Sequence, residues 1–309
     1  MRKCPGRGTF AVQYATPAIL CFMIPAYVVQ ITTPKNYILN GLWFGEKKPK
    51  HVIVWVHGLG SSMFSKLGLY GALVTGDTAI LAFNNRGFER VVQIRKASDT
   101  RTKRLLAGAA HERFSDAVDD IQGAINFAKR AGVKKIFLAG HSTGCQKSVY
   151  WASKNGKGVA GIILLAPVSD YAAELAISGK RTLARAEKVA RGLVRRGRPH
   201  ELMPVSVWGK LEDAQRFLPL YTADSAEEIF SYAQPKKRPQ TLEKLRIPTL
   251  VLWAEHDEYS DRPAKDAVNW FEKNLRNKHT VTIVPRVQHG FKGGEKVVAK
   301  EIAKFMKEA

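Results

Sequence analysis

The feature that most constrains the fold of this chain is a serine between an apolar run and a segment of helical character. Residues 136–139 are apolar, residues 140–144 have the form Gly-x-Ser-x-Gly around Ser142, and residues 145–153 are compatible with a helix. A sharp strand-to-helix turn forces the serine into strained backbone angles, and the flanking glycines remove side chains that would collide with neighbouring backbone. The pattern therefore predicts a nucleophile elbow that exposes the Ser142 hydroxyl at the end of a sheet.

Strand-like and helix-like segments alternate along most of the chain. Residues 27–33 and 37–44, rich in β-branched and aromatic residues, flank a turn-forming segment and predict an opening β-hairpin. Residues 89–110 are basic, and we interpret them as irregular. The alternation predicts an α/β fold, with a mostly parallel central sheet and helices on both faces. Besides the strand before Ser142, the predicted later strands are residues 51–56, 78–83, 159–165, 248–254 and 280–284.

The alternation stops in a charged, helical segment, which predicts an inserted cap. We therefore divide the chain into an α/β core at residues 25–169 and 246–309, a helical cap at residues 170–245, and a poorly defined extension at residues 1–24. The apolar run at residues 18–29 contains prolines and is shorter than the roughly 20 residues that a membrane-spanning helix needs. A cytoplasmic protein is the expectation, with secretion or membrane association as the less favoured alternative.

Composition limits the function classes further. Of the 309 residues, 45% are hydrophobic and 25% are charged, which is ordinary for a globular protein, but the formal net charge of +22 is not. The basic residues are spread along the whole chain without a zinc-ligand or RNA-binding signature, so we expect no specific nucleic-acid partner. Three cysteines are too few and too unevenly placed for a disulfide framework or a metal site.

A serine hydroxyl becomes a good nucleophile only when a base takes its proton and a third group orients that base. Asp257 lies in the first turn after the predicted strand at residues 248–254, and His289 lies in the loop after the last predicted strand. The chain order Ser142, Asp257, His289 is that of an α/β-hydrolase triad. Glu255 is the second candidate for the carboxylate.

The other charged and imidazole groups near these positions have structural interpretations. Glu258 and Asp261 share the loop of Asp257 and can be solvated charges, and His141 is interpreted as a packing residue beside the nucleophile. An acyl-transfer site also needs N–H donors for the oxyanion. The backbone N–H groups of Thr143 and Leu59 are the candidates, although the dipeptide before Leu59 can also be only a tight turn between strand and helix.

Together these motifs resemble the α/β-hydrolase superfamily over residues 27–309. Residues 141–146 are also similar to a group that includes fungal siderophore ester hydrolases, and residues 85–88 resemble the Arg-Gly loop of the superfamily, which is usually structural. The resemblance implies an eight-stranded sheet, a Ser-Asp-His triad and no cofactor. The chain departs from the lipase type, since it lacks a Gly-Gly-Gly oxyanion loop, which disfavours bulky tertiary-alcohol esters.

The serine at the elbow indicates acyl transfer to water and argues against dehalogenases and epoxide hydrolases, which carry an aspartate there. Small-molecule esters are the expected substrates, while amides, peptides, thioesters and carbon–carbon cleavage remain alternatives with the same triad. A non-catalytic binding module on the same fold is a further alternative. The sequence leaves the oligomeric state open.

One segment of the predicted cap is strongly basic, with apolar residues interleaved at helical spacing. It could bind an anionic acyl substrate or a membrane surface. The favoured interpretation is a helix that packs by its apolar stripe and keeps its basic face in solvent. The basic residues are Lys180, Arg181, Arg185, Lys188, Arg191, Arg195, Arg196 and Arg198.

Overall fold

The computed structural model of the protein describes residues 24–98, 101–154 and 156–309. Its strands join in one ten-stranded sheet. The strands are β1 (Ala26–Thr32), β2 (Tyr37–Phe44), β3 (His51–Val56), β4 (Thr78–Phe83), β5 (Val92–Lys96), β6 (Lys103–Ala107), β7 (Lys135–His141), β8 (Gly161–Leu165), β9 (Thr249–Ala254) and β10 (His279–Val284). Residues 1–23 of the predicted extension lie outside the described residues.

The strand order places the predicted loops at one edge of the sheet. The order is β10-β9-β8-β7-β3-β4-β2-β5-β6, with β1 paired to β2. Strands β3, β4 and β7 to β10 pair parallel with one another, whereas β2 pairs antiparallel with β1, β4 and β5, and β5 pairs antiparallel with β6. Since the carboxyl ends of parallel strands share one edge, the loops after β3, β7, β9 and β10 meet there.

The interpretation of residues 89–110 as irregular is wrong. Strands β5 and β6 form an antiparallel hairpin, and β5 joins β2 through the pair Tyr37 and Lys96. Ile94 is buried while Gln93 and Arg95 are exposed, so the segment carries the period of two that a half-buried strand needs. Basic side chains are common on such edges because they discourage pairing with other chains. The hairpin also explains why the sheet exceeds the eight strands that the resemblance implied.

Helices cover both faces of the sheet. They are α1 (Leu67–Leu73), α2 (Ala117–Arg130), α3 (Thr143–Ser153), α4 (Asp170–Arg195), α5 (Ala214–Tyr221), α6 (Gln240–Glu243), α7 (Ala264–Asn274) and α8 (Glu295–Glu308), with a 3-10 turn at Phe114–Asp116. Alternate residues of β3 face opposite sides, so Val54 packs in the layer of α2, α3 and α7. Trp55 packs in the layer of α1 and α8.

A helical insertion separates β8 from β9. Helix α4 follows β8 directly and bends at Gly179, where φ is 78°. Leu183 and Leu193 of α4 pack against Trp208 and Phe217 in an apolar cluster that is separate from the two sheet layers. The predicted cap limits of 170–245 fall within this interval and remain a prediction.

The basic segment of the insertion lies along α4 and the turn that follows it. All eight of its basic residues are exposed, whereas Leu183 and Leu193 are buried and Val189 is partly buried. Within the described residues, no helix is both long and apolar enough to cross a membrane. The packing matches the favoured interpretation of an apolar stripe with a solvated basic face.

The Arg-Gly loop at residues 85–88 ties the sheet to helix α2. The Arg86 guanidinium donates to Asp120 at 2.7 Å and to Asp119 at 2.9 Å, and it lies 4.0 Å from the ring centroid of Tyr37. These buried contacts join the loop after β4 to α2 and to β2. They give the loop a structural role, as the resemblance implied.

Candidate active site

The elbow holds Ser142 in a conformation that few non-glycine residues adopt. Ser142 joins β7 to α3 with φ 55° and ψ −129°, and its N–H donates to the Leu165 carbonyl at 3.0 Å. A Cβ atom on Gly140 would lie 2.3 Å from the Gly144 oxygen, and one on Gly144 would lie 2.2 Å from the Val56 oxygen. The two glycines are therefore required by close backbone approach, as the sequence pattern predicted. The surrounding contacts hold a strained serine at the sheet edge.

Asp257 and His289 meet at the same edge from the loops after β9 and β10. The Nδ1 atom of His289 lies 2.8 Å from Oδ2 and 3.0 Å from Oδ1 of Asp257, and both side chains are buried. Because an ionised carboxylate only accepts hydrogen bonds, Nδ1 carries the proton and Nε2 is left as the acceptor. That tautomer is the one a general base for a serine needs.

The remaining acids of this loop have other partners. Glu255 accepts a hydrogen bond from the Arg286 N–H at 2.6 Å, and Glu258 accepts one from the His289 N–H at 2.9 Å. Asp261 forms an ion pair with the neighbouring Arg262. Of the four candidate carboxylates, Asp257 is the one that contacts the imidazole, and Glu255 braces the backbone of the adjacent loop.

The loop after β3 brings the predicted oxyanion donors beside the serine. A Cβ atom on Gly58 would lie 2.9 Å from Cβ of Ser142. The loop can therefore come this close to Ser142 only because residue 58 is a glycine. Leu59 lines the same cleft as Ser142, and Thr143 begins helix α3, where the helix dipole favours negative charge. The predicted donors thus belong to the loop after β3 and to the first residue of α3.

His57 fixes the orientation of that loop. Its Nε2 lies 3.2 Å from the backbone N of Asn85, an obligatory donor, so the proton resides on Nδ1 and is donated to the Gly58 carbonyl at 2.8 Å. Burial, together with the nearby Lys147 ammonium, lowers the pKa of His57 to about 4 and keeps the ring neutral. Holding the Gly58 carbonyl also holds the N–H of Leu59, because both belong to one planar peptide unit.

His141 does more than the packing predicted for it. Its Nε2 lies 2.9 Å from the backbone oxygen of His289, and the two rings lie 4.9 Å apart. Burial holds the pKa of His141 well below its usual range, so the ring is neutral and Nε2–H is the donor. The contact positions the loop that carries His289. No local sequence pattern marks this contact, because it depends on how the end of β7 meets a distant loop.

A cleft of about 660 Å³ opens above these groups. Ser142 and His289 line it together with Leu59, and the insertion covers it with residues from α4 and α5. Three cationic side chains also line it, from three parts of the chain: Lys66, Arg90 and Lys210. Sequence reasoning missed all three, since none belongs to a motif.

A buried group of charges underlies the site and was also missed. Lys147 of α3 is fully buried, and its Nζ lies 2.6 Å from Oε1 of Glu112. Arg216 of α5, also fully buried, bridges Glu112 at 3.2 Å and Glu227 at 2.6 Å. Burial alone would raise the pKa of Glu112, but the two cations outweigh it and hold that pKa below its usual value. The network joins α3, the helix that follows Ser142, to the insertion.

The described part of the chain contains no group of three or more His, Cys, Asp or Glu side chains arranged to hold a metal ion. Cys145 is free and buried directly behind the elbow, where its Sγ lies 3.1 Å from the Gly140 oxygen. Cys4 and Cys21 lie outside the described residues.

Solved structures share this architecture. The siderophore hydrolase EstB from Aspergillus fumigatus aligns with a TM-score of 0.62 and 16% identity, over 93% of this chain and 98% of that chain. The Pyrococcus furiosus esterase Pf2001 aligns with a TM-score of 0.57 and 15% identity, over 92% of this chain and 91% of that chain. A thermophilic esterase from Thermogutta terrifontis, with malate bound, aligns with a TM-score of 0.54 and 19% identity, over 92% and 99%.

The sheet, the elbow and these likenesses define the α/β-hydrolase fold, with a helical insertion after β8. Residues 109–307, more than half of the chain, match the family model described as "Protein of unknown function (DUF1749)". The chain belongs to that family. No curated protein matches the sequence.

Proposed function

We propose that the protein is a serine hydrolase that cleaves carboxylic esters through an acyl-enzyme intermediate. The observation that carries the proposal is the serine at the elbow. Ser142, held at φ 55°, lines the same cleft as His289, whose Nδ1 is held by Asp257 at 2.8 Å. A strained serine beside an oriented imidazole has a direct use in acyl transfer and no evident use in packing.

In the proposed reaction the Ser142 hydroxyl oxygen attacks the ester carbonyl carbon while Nε2 of His289 takes the hydroxyl proton. The tetrahedral intermediate collapses, the bond to the alcohol oxygen breaks, and the imidazolium returns the proton to the departing alcohol. Water then repeats the sequence on the acyl-enzyme and releases the acid and free Ser142. Asp257 stabilises the imidazolium at each stage.

The negative charge of the tetrahedral intermediate falls between the backbone N–H groups of Leu59 and Thr143. Such preorganised donors are worth about 3–4 kcal/mol of transition-state stabilisation each. His57 contributes indirectly by holding the peptide unit that supplies the Leu59 donor. Backbone donors cannot be removed by side-chain substitution. Substitution of His57 is therefore the way to perturb the Leu59 donor.

A cleft of about 660 Å³ suits a small or medium-sized ester rather than a polymer. The three solved neighbours are, by name, two esterases and a siderophore hydrolase. Because their sequence identity to this chain is low, their substrates do not indicate the substrate of this chain. Cleavage of amides, peptides or carbon–carbon bonds would use the same three residues. These alternatives are tested by assaying the same variants with the corresponding substrates.

The test is hydrolysis of p-nitrophenyl acetate and butyrate by the wild type and by Ser142→Ala. We expect turnover in the wild type and a loss of about 10³-fold or more in the variant. Ser153→Ala is the matched control, because Ser153 is on the same helix and, among the residues that the structure describes, its hydroxyl bonds only the Tyr150 carbonyl. Turnover that survives in Ser142→Ala would refute the assignment. Absence of turnover in the folded wild type would favour a binding module.

A further inference from the structure

The charges that line the cleft are unevenly matched. Lys210 forms an ion pair with Glu174, and its ammonium lies 5.2 Å from the ring centroids of Trp208 and Tyr221. Its charge is therefore satisfied within the insertion. Lys66 and Arg90, which line the same cleft, form no ion pair with any carboxylate of the described residues.

Arg90 lies beside the proposed oxyanion loop. A Cβ atom on Gly60 would lie 3.5 Å from both Cζ and Nε of Arg90, so the guanidinium lies across Gly60, the residue after the Leu59 donor. The backbone of Arg90 is fixed, because its carbonyl accepts from the Ala110 N–H at 2.9 Å. The guanidinium itself is exposed to the cleft and keeps its donors for a ligand.

Lys66 lies beside the proposed base. Its ammonium donates to the Gly290 carbonyl at 2.9 Å, one residue after His289, and leaves further N–H groups unassigned. Burial lowers the pKa of Lys66 to about 8, against the opposing effect of Glu258 and Glu295. A partly desolvated ammonium of this kind gains more from an anionic partner than one in open solvent.

The acids that line the cleft do not cancel these two cations. Glu212 is fully buried and accepts from Trp208 and Tyr221. Asp170 accepts from Gln146 at 2.8 Å, and burial raises its pKa well above the usual range, which favours its neutral form. Lys66 and Arg90 therefore keep positive charge in the cleft that no ion pair among the described residues neutralises, while Glu258 and Glu295 act on Lys66 from nearby and raise its pKa.

We propose that the cleft selects esters that carry a carboxylate, bound by Arg90 beside the Leu59 loop and by Lys66 beside the loop of His289. The proposal rests on the proposed function and names its substrate class. Arg90 offers the planar pair of donors that matches a carboxylate, and Lys66 adds a point charge near the base. The eight basic residues considered for this role in the sequence lie on the solvent face of the insertion, whereas Arg90 and Lys66 line the cleft itself.

The test compares matched charged and neutral esters at low ionic strength, by pH-stat titration. Monoethyl adipate against ethyl hexanoate places the carboxylate on the acyl side. Para-carboxybenzyl butyrate against para-methylbenzyl butyrate places it on the alcohol side. For at least one pair we expect the wild-type kcat/KM to favour the charged ester about tenfold or more, and added salt to reduce that preference.

Arg90→Gln and Lys66→Gln should each lower the charged-to-neutral ratio about tenfold, and Arg90→Lys should recover part of it. Arg185→Gln is the matched control, because Arg185 is exposed on α4 outside the cleft, and it should leave the ratio unchanged. Since Arg90 is exposed, its variants carry the test even if Lys66→Gln fails to fold. A wild type with no charge preference in either pair, or a preference that Arg90→Gln leaves intact, would overturn the proposal. Failure to hydrolyse even the neutral esters would count against the proposed function instead.

Discussion

The buried charges beneath the site give a quantitative prediction for Lys147→Met. In the wild type, Lys147 and Arg216 balance Glu112 and Glu227, and all four side chains are almost fully buried. The substitution removes one cation and leaves two carboxylates to share Arg216. Losing one partner of a buried ion pair costs about 3–5 kcal/mol, because the remaining charge stays buried and uncompensated.

This loss of unfolding free energy can be converted into an expected decrease in Tm. An unfolding entropy of about 2.1 cal/mol/K per residue gives about 0.65 kcal/mol/K for the 309-residue chain. The expected decrease in Tm is therefore about 5–8 °C, measured by differential scanning calorimetry at neutral pH. Lys188→Met is the control, since Lys188 is exposed on α4 and its loss should change stability by about 0.5 kcal/mol or less.

A double variant separates the charge effect from a simple loss of packing. Glu112→Gln alone leaves Lys147 buried without its carboxylate and should cost about 3–5 kcal/mol as well. Lys147→Met with Glu112→Gln restores neutrality, since Arg216 and Glu227 remain paired. We expect the double variant to lose at least about 2 kcal/mol less than the sum of the singles. Additive losses, or a Tm of Lys147→Met within about 1 °C of wild type, would refute the reasoning.

Three further predictions concern the loops of the site. Because the pKa of His57 is about 4 in the folded protein and 6.5 ordinarily, the unfolded chain binds more protons between these values. His57 should therefore contribute a fall in stability as pH falls through this window, of up to about 1.4 kcal/mol per pH unit, and His57→Gln should remove that contribution from the pH dependence measured in urea titrations. Gly144→Ala should lower Tm strongly or prevent folding, because its Cβ would lie 2.2 Å from a backbone oxygen, whereas Gly76→Ala, with nothing within 4 Å, should be tolerated. Asp257→Asn should reduce kcat by about 10⁴-fold with a retained fold, while Glu255→Gln should reduce it far less, and the reverse order would show the carboxylate assignment to be wrong.

Most strands of the sheet were predictable from the sequence, because they are short, apolar and bounded by turn residues. The runs that became β3 and β4 match the structure residue for residue. The prediction for residues 89–110 was wrong because the many charged residues concealed the alternation of apolar and polar residues around Val92 and Ile94. On an edge hairpin only one face is buried, so the apolar signal is half as dense as in a central strand.

In the site, too, residues that belong to short motifs were predictable, and residues that only the fold brings together were not. Ser142, Asp257 and His289 lie at strand ends within short motifs, and in the structure Asp257 lies against the imidazole of His289. The cations of the cleft and the Lys147 network come from segments far apart in the chain. Their roles depend on contacts between segments that are distant in the chain, and no local sequence pattern predicts such contacts.

The central claim, that Ser142 is a nucleophile activated by His289, is tested most directly by covalent labelling. The folded wild type is treated with a fluorophosphonate, digested and analysed by peptide mass spectrometry, beside Ser142→Ala and His289→Ala. The account predicts a phosphonate adduct on Ser142 in the wild type, none in Ser142→Ala, and labelling slowed about 10²-fold or more in His289→Ala. An adduct on another serine, or no adduct on a folded wild type, would contradict it.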